Sequence, residues 1–374
     1  MPTEPSLSFR HVPQLDGIRA VAVLIVIVSH AGLGRIIPGG FGVTIFFFLS
    51  GYLITSLLRV EIAQNGKVDF KAFYLRRTLR IMPALYVTLA ILTALYLAGA
   101  FGGQVNPSAI PWDYLFLSNY SHLWGQTRGL PVPLWSLAIE EHFYLLFPLA
   151  FAIYTSRRNF RRTALACAIA CVIILGLRFS TLLWFDDVGF NYYWSHTRLD
   201  SILFGCILAL WQNPLLDGGA WRPNRLHVLA ALVTLLCTFA FRDELFRQTI
   251  RYTLHGAGLF VLFSYILAEG SKLLQKVLTS PPMIWIGLVS YSLYLCHFAI
   301  FQALTINTGL NAVAIGVTGT LLSLGYAFLM RRYVELPILS WRRKRSAAKR
   351  DELARIADKS ARDELAQAAS TLPS

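Results

Sequence analysis

Apolar stretches of about 20 residues recur along this chain, each bounded by short polar or basic segments. An α-helix needs about that length to cross the hydrocarbon core of a bilayer. Ten such runs are read, near residues 17–35, 41–60, 81–101, 137–156, 164–184, 196–212, 227–241, 250–268, 284–304 and 311–330, the seventh being short. Backbone groups in lipid must satisfy one another, so these runs predict helices. The expected fold is all-α, a polytopic membrane helix bundle with about ten transmembrane helices. Residues 1–340 are read as one membrane domain. Residues 341–374 form a basic cytoplasmic tail whose mixed charges, Ala and Leu suit a solvated or membrane-surface helix. No internal repeat is evident, which disfavours the repeat-built transporter folds.

Composition strengthens the membrane reading. The chain has 374 residues, 55% of them hydrophobic and 14% charged, against roughly 25% charged in soluble domains. The net charge of +14 would suggest nucleic acid in a soluble protein. Here the cations sit in short loops between apolar runs, so no nucleic-acid partner is expected. One alternate set of loops carries Arg59, Lys67, Lys71, Arg76, Arg77 and Arg80, then Arg157, Arg158, Arg161 and Arg162, then Arg222, Arg225, Lys272 and Lys276. The other set is poorer, with Arg35, Arg128, Arg242, Arg247 and Arg251. The positive-inside rule then puts both termini in the cytoplasm, and an even number of spans agrees. Cys167, Cys171, Cys206, Cys237 and Cys296 all fall in apolar runs without zinc spacing, and are read as packing residues. No metal is expected. Pro38-Gly39-Gly40 is a poor cleavage site, so the first span is expected to be retained.

Titratable groups inside a bilayer cost several kcal/mol by insertion scales, so each requires a reason. Arg19 and His30 are eleven residues apart. At ~100° per residue they share one helix face, about 16 Å apart along the axis. This places His30 near or beyond the midplane, where an imidazole suits a general base or nucleophile. A lone buried histidine is more often a packing residue; the arginine on the same face favours function here. Arg76, Arg77 and Arg80 crowd the mouth of the third span, beside Tyr74. Guanidinium forks bind phosphates, although such residues also anchor orientation. Ser136, Glu140 and Tyr144 follow i, i+4, i+8 and form one polar stripe, with Glu141 about 100° away. Glu140 can polarise His30, as in hydrolase triads, or hold an acceptor hydroxyl. Ser290, Tyr294 and His297 form a second stripe at i, i+4, i+7. Arg198 and Asp200 lie among aromatic residues at the outer interface, and Glu335 lies near the inner end of the last span, where it can neutralise the arginines. For these last three sets structural and substrate-binding roles stand level.

In order along the chain these motifs are Leu15-Asp16-Gly17-Ile18-Arg19 with His30; Gly42-Val43 through Phe46-Phe47-Phe48-Leu49-Ser50-Gly51-Tyr52; Tyr74-Leu75-Arg76-Arg77 with Arg80 and Pro83; Trp135-Ser136-Leu137 with Glu140, Phe143 and Tyr144; and Ser290-Tyr291-Ser292-Leu293-Tyr294-Leu295 with His297. Together they resemble acyltransferase family 3, the integral-membrane acylases that include O-antigen and nodulation-factor acetylases and macrolide acyltransferases. The likeness covers about residues 13–340. It implies a ten-helix membrane domain in the bacterial inner membrane and acyl-CoA, chiefly acetyl-CoA, as donor co-substrate. It also implies that Arg19 and His30 match the family's Arg-x10-His pair. Position 44 is Thr where many members carry Asp, so it is left out of the site. Some relatives carry a further periplasmic esterase-like domain, expected to be absent here.

The expected reaction is transfer of an acyl group, acetyl first, from cytoplasmic acyl-CoA to a hydroxyl of a glycan or related acceptor. His30, Arg19 and Glu140 are the expected catalytic groups. Arg76, Arg77, Arg80 and Tyr74 would hold the donor, and Ser136, Tyr144, Arg198, Asp200, Ser290, Tyr294 and His297 the acceptor. The rival reading is a proton-coupled transporter or flippase, which buried Arg, His and Glu also suit. A scaffold leaves the polar stripes unexplained.

Overall fold

The computed structural model describes residues 11–124, 129–155, 159–185, 188–268, 270–342, 344 and 345. Arg10, Arg128, Arg157, Arg158 and most of the basic tail lie outside them. Every described element is helical. Ten helices form the bundle: α1 (Pro13–Val28), α2 (Gly39–Asn65), α3 (Phe70–Leu97), α4 (Leu134–Tyr154), α5 (Phe160–Trp184), α6 (Ser195–Trp211), α7 (Arg225–Ala240), α8 (Ile250–Leu267), α9 (Pro281–Asn307) and α10 (Ala312–Met330). Eight of the spans are long and apolar enough to cross a membrane; α6 and α7 are shorter. Leu165, Ile169, Val172 and Ile173 on α5, and Val313, Val317 and Leu321 on α10, point outward. Such an apolar rim is what lipid, and not water, would solvate.

Local chemistry sets the boundaries. Pro13 opens α1, where its missing N–H costs nothing. Asp69 caps α3 by accepting from the Ala72 amide at 2.9 Å. That cap lies twelve residues before the expected start of the third span. The apolar run begins only at Ile81, but no breaker separates it from the cap, so Arg76, Arg77 and Arg80 ride on the helix itself. Asn159, Asn224 and Asn311 cap α5, α7 and α10 in the same way. α1 passes into a π-turn, Ser29–Leu33, in which Gly32 holds a φ of 109°. Only glycine takes that conformation without strain, and it reverses the chain towards α2.

The bundle is held by close helix crossings. α2 packs along α6, and α1 along α9. A Cβ on Gly51 or Gly205 would meet the backbone of the opposing helix at 2.0 Å, at Ile202 O and Phe48 O respectively. Small residues let helix backbones approach where lipid gives no hydrophobic drive for association. Val23, Phe47, Leu58, Leu85, Ile139 and Leu293 lie in the larger buried core. Cys167, Cys171, Cys206 and Cys296 are buried as packing residues, but Cys237 on α7 faces out, because its helix covers the bundle with its other face.

Candidate active site

A cavity of about 150 Å³ runs between α1, α2, α3, α4 and α9. At the end bearing the chain's N-terminus, here called inner, three guanidiniums line it: Arg19, Arg77 and Arg80. Arg19 donates to Asp16 Oδ1 at 2.6 Å, and the other Asp16 oxygen lies 2.7 Å from His11 Nε2. Asp16 therefore neutralises Arg19, and no role had been assigned to it from sequence. The i, i+3 spacing was the available signal. Glu335 lines the same cavity but accepts from Ser292 at 2.6 Å.

Midway, the carboxylate of Glu140 accepts from Ser50 Oγ and from the Tyr144 hydroxyl, each at 2.9 Å. The Arg77 guanidinium stacks 4.6 Å from the centre of the Tyr144 ring. Arg77 and Arg80 both act electrostatically on Glu140. The stripe Ser136, Glu140, Tyr144 faces the cavity along its whole length. Glu141 reaches it too, although helical spacing put it off the stripe. Ser50 was quoted in a motif but given no role; a hydroxyl in a run of phenylalanines marks it.

Towards the outer side Ser136 Oγ and the Tyr294 hydroxyl, both lining the cavity, lie 2.6 Å apart. Ser290 lines it as well, its hydroxyl turned to the Gly287 carbonyl. Beyond Tyr294, one turn along α9, sits His297. It is fully buried and 3.1 Å from His30. His30 lies in the π-turn at the outer end of α1, exposed and outside the cavity lining.

The remaining sequence candidates lie elsewhere. Tyr74 donates to the Leu145 carbonyl at 2.8 Å, and Arg76 points out to Glu61 at 3.2 Å. Neither lines the cavity. Glu140 has its oxygens engaged by Ser50 and Tyr144, so its partner is not His30. Arg198 and Asp200 are wholly buried. Asp200 pairs with Arg178, another fully buried side chain on α5. Arg198 lies 3.8 Å over the Tyr252 ring and donates to Thr44 Oγ1 at 3.1 Å. No acceptor in solvent can reach this group without rearrangement.

The family model described as an acyltransferase domain matches residues 12–332, which takes in the residues of this arrangement except His11 and Glu335. The chain belongs to acyltransferase family 3. The chain is 33% identical over 356 residues to the O-acetyltransferase OatA of Staphylococcus aureus, covering 90% of this chain and 58% of that one. It is 29% identical over 361 residues to the peptidoglycan O-acetyltransferase OatA of Listeria monocytogenes, covering 88% and 56%. The chain thus spans less than two thirds of the length of these relatives. No solved structure matches it.

Proposed function

We propose that this acyltransferase moves an acetyl group from cytoplasmic acetyl-CoA to a hydroxyl of a cell-envelope glycan, with His30 as the base. The observation that carries the reading is one line of groups. Three guanidiniums stand at the inner mouth of the cavity, a carboxylate–hydroxyl triad stands midway, and a histidine pair lies past the far end.

The donor's phosphates dock at Arg77, Arg80 and Arg19, with Arg76 and Tyr74 at the approach. The pantetheine arm follows the cavity past Glu140, Ser50 and Tyr144. An acceptor hydroxyl at the outer end gives its proton to His30 as its oxygen attacks the thioester carbonyl. The new C–O bond forms, the C–S bond breaks, and the proton returns from His30 to the coenzyme A thiolate. Tyr294 and Ser136, at the junction, are the hydroxyls nearest the point where oxyanion charge would develop. The names of the two relatives support acetyl as the group and an envelope glycan as the acceptor class. The transporter reading has no observation of its own beside these.

The test is release of free coenzyme A from labelled acetyl-CoA by the full chain in detergent, with a peptidoglycan-derived oligosaccharide as acceptor. We expect His30→Ala to lose turnover by about 10²-fold or more. Near-normal turnover in that variant removes His30 from the chemistry, and no acceptor-dependent turnover in the parent protein overturns the reading.

A further inference from the structure

His297 is the buried partner of His30, and its own surroundings fix which nitrogens carry protons. Its Nδ1 lies 2.7 Å from the backbone carbonyl oxygen of Tyr294. A carbonyl only accepts, so Nδ1 carries the hydrogen. A neutral imidazole has one N–H, which leaves Nε2 of His297 as a lone pair. That lone pair lies 3.1 Å from Nδ1 of His30. The contact is a hydrogen bond only if His30 holds its proton on Nδ1. The free lone pair of His30 is then on Nε2.

The neighbours of His297 keep it neutral. Its ring is fully buried, with Tyr294 at 5.5 Å and Phe301 at 6.4 Å between ring centres. Among the described residues no carboxylate is hydrogen-bonded or ion-paired to it, and a buried charge without such a partner costs several kcal/mol. The His30 ring is held at 5.1 Å by His297 and edge-on at 5.3 Å by Phe298. The Val26 carbonyl, one turn back on α1, is a further acceptor for it.

We propose that His297 is a positioning residue that holds His30 in the tautomer with its basic lone pair on Nε2. This rests on the reading of His30 as the base. It gives His297 the orienting role that sequence spacing offered to Glu140, in place of the substrate contact expected for His297. When Nε2 of His30 takes the acceptor's proton, the Nδ1–H bond to His297 shortens and steadies the imidazolium. His297 keeps its own proton against the Tyr294 carbonyl throughout, so it orients His30 and does not carry the proton away. Tyr294 joins the two halves of the site: its hydroxyl lines the cavity and its carbonyl anchors His297.

The experiment uses the full chain in detergent with ¹⁵N-labelled histidine, the His30 signals being assigned by their loss in His30→Gln. We expect His30 to show a protonated Nδ1 and a bare Nε2. In His297→Phe that bias is expected to weaken. Its kcat falls about 10²-fold, with KM for acetyl-CoA within about twofold of the parent. His297→Gln, whose side-chain carbonyl can accept from His30, recovers part of the rate. A parent protein with the proton on Nε2 of His30 overturns the proposal. So does a folded His297→Phe with unchanged kcat. If His30→Ala stays active, the base reading fails, while the nitrogen signals still decide the tautomer.

Discussion

The Tyr294 hydroxyl stands 2.6 Å from Ser136 Oγ, where both line the arginine-bearing cavity, and His297 lies one turn further along α9. On the proposed reading, a donor arm that extends from the arginines to His30 passes this pair. Ser136→Leu would fill the gap with an immovable side chain, while leaving the inner mouth intact. The expected result is a fall in kcat of about 10-fold or more with little change in the KM for acetyl-CoA. Tyr294→Phe, which removes only the hydroxyl, should cost less. Steady-state kinetics with acetyl-CoA as the varied substrate measures both.

The three clustered arginines should not behave alike. Arg77 and Arg80 line the cavity, whereas Arg76 is paired with Glu61 at the surface. A charge-assisted hydrogen bond contributes about 1.5–3 kcal/mol, so Arg77→Ala and Arg80→Ala should each raise the donor KM about 10- to 100-fold. Arg76→Ala should change it about twofold or less, as expected for an exposed ion pair. Equal effects from all three would place the donor outside the cavity.

Arg178 and Asp200 form a fully buried pair that ties α5 to α6. Arg178→Leu leaves the Asp200 carboxylate without its cation, at a cost of about 3–5 kcal/mol. Arg198 is the converse case: its Nε and Nη1 find no hydrogen-bond partner among the described residues, and its polar contact is the Thr44 hydroxyl. Thr44→Asp would supply a carboxylate to that cation. We expect it to raise the thermal midpoint in detergent, and Arg178→Leu to lower it.

Asp113, in the short helix Ile110–Tyr114 of the loop between α3 and α4, gives a pH dependence. Burial raises its carboxyl from 3.8 to about 7, against the opposing pull of the Leu130 amide that donates to it at 2.7 Å. The folded loop therefore holds this proton at pH values where the unfolded chain has lost it. Stability contributed by the group is full below about pH 4 and is lost as pH rises to about 7. Asp113→Asn, which keeps an acceptor for Leu130, should flatten that slope. Thermal midpoints of the two proteins between pH 4 and 8 would show whether it does.

Several features could be read without coordinates because they depend on neighbours in sequence. The helical membrane bundle followed from apolar runs, although eight of the ten expected spans are long and apolar enough to cross a membrane, and the stripes Ser136–Glu140–Tyr144 and Ser290–Tyr294 followed from helical spacing. Spacing could not reveal that Glu141 also reaches the cavity, since that depends on how α4 is rotated against α3. Nor could it show that Arg76 turns away to Glu61, fifteen residues back on another helix.

The sequence by itself determined a helical membrane bundle, its acyltransferase family, and the residue types from which a site could be built. Those are consequences of hydropathy, period and motif order, all of which are local. Tertiary structure alone decided the partnerships. His30 meets His297 across 267 positions of chain, and Glu140 meets Ser50 across 90. His30 sits in the π-turn that follows α1, and the crossing of α1 with α9 put the second imidazole against it. Hydrogen bonds between helices depend on rotation and register, and these are set only when the whole bundle packs.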